Sequence, residues 1–193
     1  MRMLRNVGVV FAAVASLTVT EAAAQVRGLI GVGLGVPVGN FASTNDGGNA
    51  EAGGGTALAG VEWLPEGRTL GLRVDGAYNR FCTSACDDAA GNLDLRYRFL
   101  NANLNGLLEL PLANSAFRPY LTGGIGVYNY LLEGNDVPEG LDSQTDVGAN
   151  AGLGAMYRLG QVNLFAEGRY HHVFAGNSDI QYIPILVGAK LDL

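Results

Sequence analysis

Two cysteines separated by three residues are the most reactive side chains of this 193-residue sequence. Cys82 and Cys86 lie in the segment FCTSACDD, whose small and polar residues are typical of a loop. Neighbouring thiols pair readily in an oxidising compartment. A metal site that adds Asp87 or Asp88 to both thiols is the alternative, but no third soft ligand is adjacent. The spacing therefore favours a disulfide that closes a small loop, and it predicts neither a metal centre nor a cofactor.

The two histidines, His171 and His172, are adjacent in an alternating segment. Adjacent residues of a strand point to opposite faces, so this pair cannot bind one metal ion together. His171 has the parity of Glu167 and Arg169. A lipid-modifying enzyme that uses histidine, serine and carboxylate on the outside of a barrel is an alternative, but Ser178 lies in the following loop without a short His-x-Ser spacing. The sequence therefore predicts no catalytic residue.

Charged side chains of both signs alternate with apolar residues inside the predicted strands. The pairs Arg73 with Asp75 and Glu167 with Arg169 are two residues apart, which places each pair on one strand face. Buried charges of this kind persist only when they are paired. Because bases and acids are nearly balanced, the pattern favours a lumen filled by paired charges over an ion-selective pore. The predicted lumen set is Glu62, Arg73, Asp75, Glu109, Arg158, Glu167, Arg169, Lys190 and Asp192.

Eight segments with a period of two must position these charges. Such alternation is typical of strands whose two faces meet different surroundings. The apolar faces extend for about the 9–11 residues of a tilted membrane strand, and aromatic residues gather near segment ends, as in interfacial girdles. The segments are 30–36, 56–64, 70–79, 93–110, 119–132, 146–158, 163–171 and 183–193. The aromatic residues are Trp63, Tyr78, Tyr97, Phe99, Tyr130, Tyr157 and Tyr170.

The fourth segment changes its phase along the way. Its apolar residues have odd numbers at Tyr97 and Phe99 and even numbers from Ala102 onward. A one-residue β-bulge near Leu100 would re-phase the strand in this way. Two separate strands are the alternative, although no turn residues lie between them. We therefore expect a single bulged strand.

The connections between the segments alternate between short and mostly longer. Bacterial outer-membrane barrels have short periplasmic turns and longer external loops. Eight strands connected in this way place both chain ends on the periplasmic side. The short connections are near 65–67, 114–115 and 160–161, and the longer ones are 40–53, 83–91, 133–144 and 175–179.

The first 24 residues resemble an export signal rather than part of the fold. A basic start is followed by an apolar run, 7–19, and by the small residues of an A-x-A-like cleavage site that ends at Ala24. A membrane anchor is the alternative, but the run is shorter than the roughly 20 residues a spanning helix needs. We expect a signal peptide over 1–24 and one barrel domain over 25–193. The net charge of −6 and the lack of a basic patch argue against a nucleic-acid partner.

Two stretches resemble a known family. The segment PYLTGGIGVY is similar to a strand of the OmpA/OmpX-like superfamily of small outer-membrane barrels, and the terminal VGAKLDL resembles the carboxy-terminal insertion signal of such proteins. The resemblance implies an insertion signal at Gly188, Leu191 and Leu193, although these proteins usually end in an aromatic residue. It also implies outer-membrane lipid as surroundings, and periplasmic chaperones and barrel-assembly machinery as partners during biogenesis.

These patterns together predict an all-β protein, an eight-stranded antiparallel up-and-down transmembrane β-barrel. The predicted function is an outer-membrane scaffold that displays external loops and has a side-chain-filled lumen, with a structural or surface-interaction role. A narrow channel for ions or small solutes is the first alternative, and a lipid-modifying enzyme is the second. The sequence does not identify an external ligand.

Overall fold

Eight antiparallel strands close into a barrel in the computed structural model of the chain, which describes residues 24–42, 53–82, 96–110, 112, 116–133, 143–176 and 178–193. Each strand pairs with its sequence neighbours, and the last pairs with the first. The predicted up-and-down barrel is therefore confirmed. The strands are β1 (Ala24–Val38), β2 (Gly54–Pro65), β3 (Leu70–Cys82), β4 (Arg96–Glu109), β5 (Phe117–Glu133), β6 (Gln144–Leu159), β7 (Val162–Val173) and β8 (Ile180–Asp192).

The pairing register staggers the strands as they circle the barrel. We start at Arg27 on β1 and step each time to the residue paired with it on the next strand. After all eight strands this series returns to β1 at Pro37, ten residues beyond Arg27. A stagger of this size over eight strands tilts them by about 40° from the barrel axis. The lumen of such a barrel is just wide enough for side chains to fill. The partners in this series are Glu62, Arg73, Asn105, Gly124, Asn150, His171 and Tyr182.

The barrel has two different ends. At the end that we call the turn end, β1 begins, β8 ends, and the short connections 66–69, 110–116 and 160–161 join the strands. At the opposite loop end, the connections span 39–53, 83–95, 134–143 and 174–179. A short 3₁₀ helix, Gly39–Ala42, begins the first of these connections. Among the described residues, no helix is long and apolar enough to cross a membrane.

The two faces of the barrel wall differ sharply in polarity. Outward side chains are apolar and well exposed, for example Leu34 at 68%, Ile125 at 67% and Leu153 at 68%. Inward positions hold the buried charged and carboxamide side chains. Buried apolar side chains such as Phe99 and Leu186 also face inward, so the lumen is mixed. The outward face is the uniformly apolar one, which suits a wall that faces lipid.

The fourth strand contains no bulge, contrary to the sequence-based expectation. β4 pairs with β3 and β5 in one continuous register from Arg96 to Leu108. Consequently Phe99 keeps the inward parity and is fully buried inside the barrel. The switch from odd-numbered to even-numbered apolar residues occurs where the inward side chains change from carboxamides to aromatic rings. Tyr97, Phe99 and Tyr130 therefore pack inside the barrel and are not part of an interfacial girdle.

The other four aromatic residues of the predicted girdle do have outward positions. Tyr78, Tyr157 and Tyr170 are between 39% and 51% exposed on the outer surface. Trp63 shares their outward parity and is half-buried.

Inward glycines make room for the large inward rings of neighbouring strands. An added Cβ at Gly154 would lie 2.4 Å from the Tyr120 ring, and one at Gly35 would lie 2.7 Å from the Phe81 ring. Likewise, a Cβ at Gly188 would lie 2.6 Å from Phe165. The abundant glycines therefore act by their small size, because a narrow closed barrel has no other space for these rings.

We predict that Gly154→Val lowers the free energy of unfolding by at least about 2 kcal/mol, because its side chain overpacks the wall against Tyr120. The matched control is Gly168→Val on β7, where an added Cβ meets nothing within 4 Å. Urea unfolding in lipid vesicles, followed by the heat-modifiable mobility of the closed barrel, measures both variants. Equal stability of the two variants would contradict this account of the glycines.

Candidate functional site in the barrel lumen

The centre of the lumen holds a closed ring of four charged side chains. Arg73 lies 2.6 Å from Glu167 and 3.1 Å from Asp75, and Arg169 lies 2.6 Å from Glu167 and 3.0 Å from Asp75. None of the four side chains is more than 2% exposed. β3 supplies one base and one acid, and β7, on the opposite side of the eight-stranded barrel, supplies the other two. The ring therefore crosses the full width of the lumen.

A second group of ion pairs lies between this ring and the turn end. Lys190 Nζ is 2.8 Å from Glu62, while the guanidinium of Arg27 is 3.4 Å from Glu62 and also bound to Glu109. Glu62 is 3.7 Å from Arg73, so the two groups are continuous. Lys190 thus has Glu62 as its ion-pair partner. Its ammonium also lies 4.1 Å from the centre of the Tyr120 ring, in cation–π geometry.

The predicted lumen set and the observed one differ at three residues. Arg158 and Asp192 are 50% and 38% exposed and pair with each other at 3.7 Å, outside the buried network. Both lie near strand ends, where the lumen opens at the turn end. Arg27 belongs to the network but was missed, because the first predicted segment begins only at Ile30. Its odd number, shared with the inward Gly31, is the signal that could have found it.

The buried charges balance after this revision. Within the part of the chain that the structure describes, four acids meet four bases, all nearly inaccessible to solvent. A balanced set satisfies its charges internally, whereas one unpaired buried charge carries a penalty of several kcal/mol. The acids are Glu62, Asp75, Glu109 and Glu167, and the bases are Arg27, Arg73, Arg169 and Lys190.

Carboxamides and a phenol complete the hydrogen bonding of the ring. Asn103 and Asn105 donate to the two carboxylate oxygens of Asp75 at 2.9 and 2.8 Å. The Tyr120 hydroxyl donates to Glu167 at 2.8 Å. Each carboxylate of the ring therefore accepts hydrogen bonds from neutral groups as well as from guanidiniums, which fixes its orientation.

An aromatic layer closes the lumen toward the loop end. Phe41, carried inward by the 3₁₀ helix, packs edge-on against Phe81 and Phe99 at centroid distances of 5.4 and 5.6 Å. Tyr182 contacts both Phe81 and Phe99, and below it the imidazole of His171 stacks at 4.8 Å with an interplanar angle of 3°. Sequence reasoning missed this layer because its members belong to different strands and meet only when the barrel closes.

The two histidines lie on opposite faces of the wall, as their adjacency requires. His171 is buried in the lumen, where its Nδ1 lies 2.9 Å from the Tyr128 hydroxyl. His172 is at the outer surface near the loop end, with Nε2 2.9 Å from Asp179 and Nδ1 3.4 Å from the Tyr170 hydroxyl.

A cup of about 530 Å³ lies above the aromatic layer at the loop end. Phe41, Tyr97 and Tyr130 contribute aromatic surface, while Asp146 and Asp179 contribute carboxylates. The Tyr130 hydroxyl is 2.7 Å from Asp146, so part of this wall is already hydrogen-bonded. Phe41 belongs both to the lining of the cup and to the aromatic layer, so the two are adjacent.

The remaining predicted site residues are the two cysteines and the three residues of the expected insertion signal. Cys82 is the last residue of β3, and Cys86 lies outside the described residues. Gly188 faces inward beneath Phe165, while Leu191 and Leu193 are exposed at the turn end. Among the described residues, no group of three or more potential ligand side chains is placed to hold a metal ion.

An apolar outer wall, a packed polar interior and eight tilted strands define a small transmembrane β-barrel of the outer-membrane class. The chain belongs to the family described as the outer membrane protein beta-barrel domain, whose model matches residues 9–191. No curated protein sequence matches the chain significantly.

Several solved structures are similar to this barrel. The crystal structure of Neisserial surface protein A has a TM-score of 0.63 at 16% identity, with 87% of this chain and 97% of that chain covered. A major outer membrane protein from Thermus thermophilus has a TM-score of 0.61 at 16% identity, covering 89% and 100%. The outer membrane enzyme PagL has a TM-score of 0.50 at 15% identity, covering 86% and 99%. These likenesses show a common fold.

We predict that Arg73→Met destabilises the barrel by about 3–5 kcal/mol, because it leaves buried carboxylates without their counter-charge. The matched control, Arg158→Met, removes an exposed pair and costs less than about 1 kcal/mol. The free energies of unfolding in urea, measured in vesicles, compare the two. A cost for Arg73→Met as small as for Arg158→Met would show that the ring does not hold the lumen together.

Proposed function

We propose that the protein is an outer-membrane scaffold with a closed lumen, whose loop end faces the cell exterior and displays four connections there. The observation that carries this proposal is the ring of Arg73, Asp75, Glu167 and Arg169, which crosses the lumen from β3 to β7. In such a protein the wall anchors and orients the loops. Recognition of any external partner then depends on the loops and on the cup, not on transport through the barrel.

The alternative of a narrow channel is disfavoured by two successive barriers. An ion that enters from the loop end meets the packed rings of Phe41, Phe81 and Phe99 first. Beyond them lies the charge ring, whose members are paired with one another and at most 2% exposed. A selective pore instead lines a water-filled path with groups that replace the hydration shell of the ion. A balanced and internally bonded set offers no such path.

A lipid-modifying enzyme is the second alternative, and the fold is compatible with it because PagL has the same architecture. A hydrolytic histidine needs one ring nitrogen for the nucleophile and one for the orienting carboxylate. In His172, Asp179 and Tyr170 contact the two nitrogens, so neither is left for Ser178. His171 is enclosed in the lumen, away from lipid. These contacts support a non-enzymatic role.

We also propose that residues 1–24 are removed on export and that Cys82 and Cys86 form an intrachain disulfide. Periplasmic chaperones and the barrel-assembly machinery then deliver the chain, with Gly188, Leu191 and Leu193 as its insertion signal. The oxidising compartment supports the disulfide. Because the bridge would close a very short loop, it would remove little unfolded-state entropy and be dispensable for folding.

The intact mass of the protein purified from membranes tests the removal of residues 1–24 and the disulfide. We expect a chain that begins at Gln25 and is lighter by two hydrogens than its reduced form. The control, Cys82→Ser with Cys86→Ser, should assemble as efficiently as the unaltered chain. A mass that retains the first 24 residues would contradict the export proposal, and one that reduction leaves unchanged would contradict the disulfide.

The closed lumen predicts that the purified barrel carries no steady ion current in planar bilayers. Arg169→Ala should introduce intermittent leak, because it opens the ring across the lumen and leaves Glu167 and Asp75 less neutralised. Arg158→Ala, at the exposed turn end, should stay silent. A stable unitary conductance in the unaltered protein, with a selectivity that Arg73→Glu reverses, would favour the channel.

A further inference from the structure

The cup at the loop end combines aromatic rings with carboxylates. Tyr97 and Tyr130 are half-buried members of its lining, and Phe41 joins them from the 3₁₀ helix. Asp146 of β6 and Asp179, which directly precedes β8, supply the carboxylates. The volume of about 530 Å³ lies within the roughly 300–1,000 Å³ that is usual for small-molecule sites. The cup is therefore large enough to enclose a small organic molecule.

The charges that line the cup have one sign. Among its described lining residues there is no lysine or arginine, and the ionised side chains are Asp146 and Asp179. Asp179 lies 2.9 Å from His172, whereas the half-buried Asp146 accepts a hydrogen bond from a neutral group, the Tyr130 hydroxyl, at 2.7 Å. The buried acids of the lumen differ, because each of them has a lysine or arginine within 4 Å. The cup is thus a negatively charged concavity.

This charge pattern decides which class of ligand suits the cup. A bound anion would be repelled by two carboxylates, and a neutral molecule would displace their water without replacing the lost hydrogen bonds. An ammonium or guanidinium group supplies both the opposite charge and the donors. An ionised carboxylate has about four acceptor positions, so the contacts with Tyr130 and His172 leave acceptors for such a group.

The aromatic rings of the cup favour the same class of ligand. A cation within about 6 Å of the centre of an aromatic ring is attracted to the face of the ring. Tyr130 donates its hydroxyl to Asp146, and a phenol that is polarised by a carboxylate has more electron density in its ring. One face of Tyr130 stacks on Phe99 at a centroid distance of 5.5 Å, so a cation approaches the other face. Carboxylate and ring therefore act together on a positive charge.

We propose that the cup binds a small organic cation. Its ammonium or guanidinium group pairs with Asp146, and Asp179 adds the second negative charge. An apolar body is part of the ligand, because it covers the rings of Tyr97 and Tyr130 and removes their apolar surface from water. That the ligand comes from the cell exterior rests on the proposed function, since it requires the loop end to face outside.

Binding of a charged and a neutral probe to the folded barrel in non-ionic micelles tests the proposal. The probes are 2-phenylethylammonium and 2-phenylethanol, which have nearly the same shape, and NMR titration against protein-free micelles gives both dissociation constants. We expect the unaltered protein to bind the cation at least about tenfold more tightly, since the ion pair and the cation–π contact depend on its charge. Asp146→Asn with Asp179→Asn should abolish this preference, and Tyr130→Leu should weaken binding of the cation at least about twofold.

The matched control is Glu66→Gln with Asp192→Asn, which removes two carboxylates at the turn end and should keep the preference. Heat-modifiable mobility verifies that every variant is folded, and the comparison of the two probes in the unaltered protein needs no variant. Equal affinity of the unaltered protein for both probes would overturn the proposal, as would an equal loss of preference in both double variants. Because both ends of the barrel are accessible in micelles, the outcome is independent of whether the barrel conducts and of which end faces the exterior.

Discussion

The ion-pair ring across the lumen is the interaction on which the rest of the structure depends. It joins β3 to β7, which lie on opposite sides of the barrel, and so links parts of the wall that no backbone hydrogen bond connects. Its four charges are stable in a dry interior only because each has a partner of opposite sign and further hydrogen bonds from neutral groups. Moving β3 away from β7 would lengthen these contacts, so the ring resists widening of the barrel in that direction.

The width of the lumen makes this arrangement possible. Eight strands with a stagger of ten residues leave space for roughly one layer of side chains, not for a water column. Glycines adjust that space locally, since Gly154 accommodates Tyr120 and Gly35 accommodates Phe81. Inward glycines of one strand therefore lie beside inward aromatic rings of the next. The result is a solid interior that carries charge in its centre and aromatic rings toward the loop end.

Because the lumen is closed, groups that could bind a partner have to lie on the outside of the barrel or at its ends. The cup at the loop end has an aromatic floor and acidic walls. Adjacent positions of β4 likewise serve different surroundings, with Phe99 in the lumen and Leu100 on the lipid-facing side. Alternation along a strand is what allows one short segment to do both.

Strict alternation made the strand number, the connectivity and most inward charges predictable from the sequence alone. Each strand has to present one face to lipid and one to the interior, and that requirement is local. The bulge near Leu100 was predicted wrongly because Tyr97 and Phe99 were assigned to the lipid-facing side. An aromatic side chain suits either lipid or a packed lumen, and the residue type alone does not distinguish them.

The tertiary structure decided what depends on neighbours around the barrel. The closed register assigned Lys190 to Glu62, brought Arg27 into the buried network, and left Arg158 and Asp192 at the open turn end. These outcomes follow from stagger and from distance to the rim, which are properties of eight strands together. A single strand encodes which face a side chain takes, but only the closed barrel determines which side chain it meets.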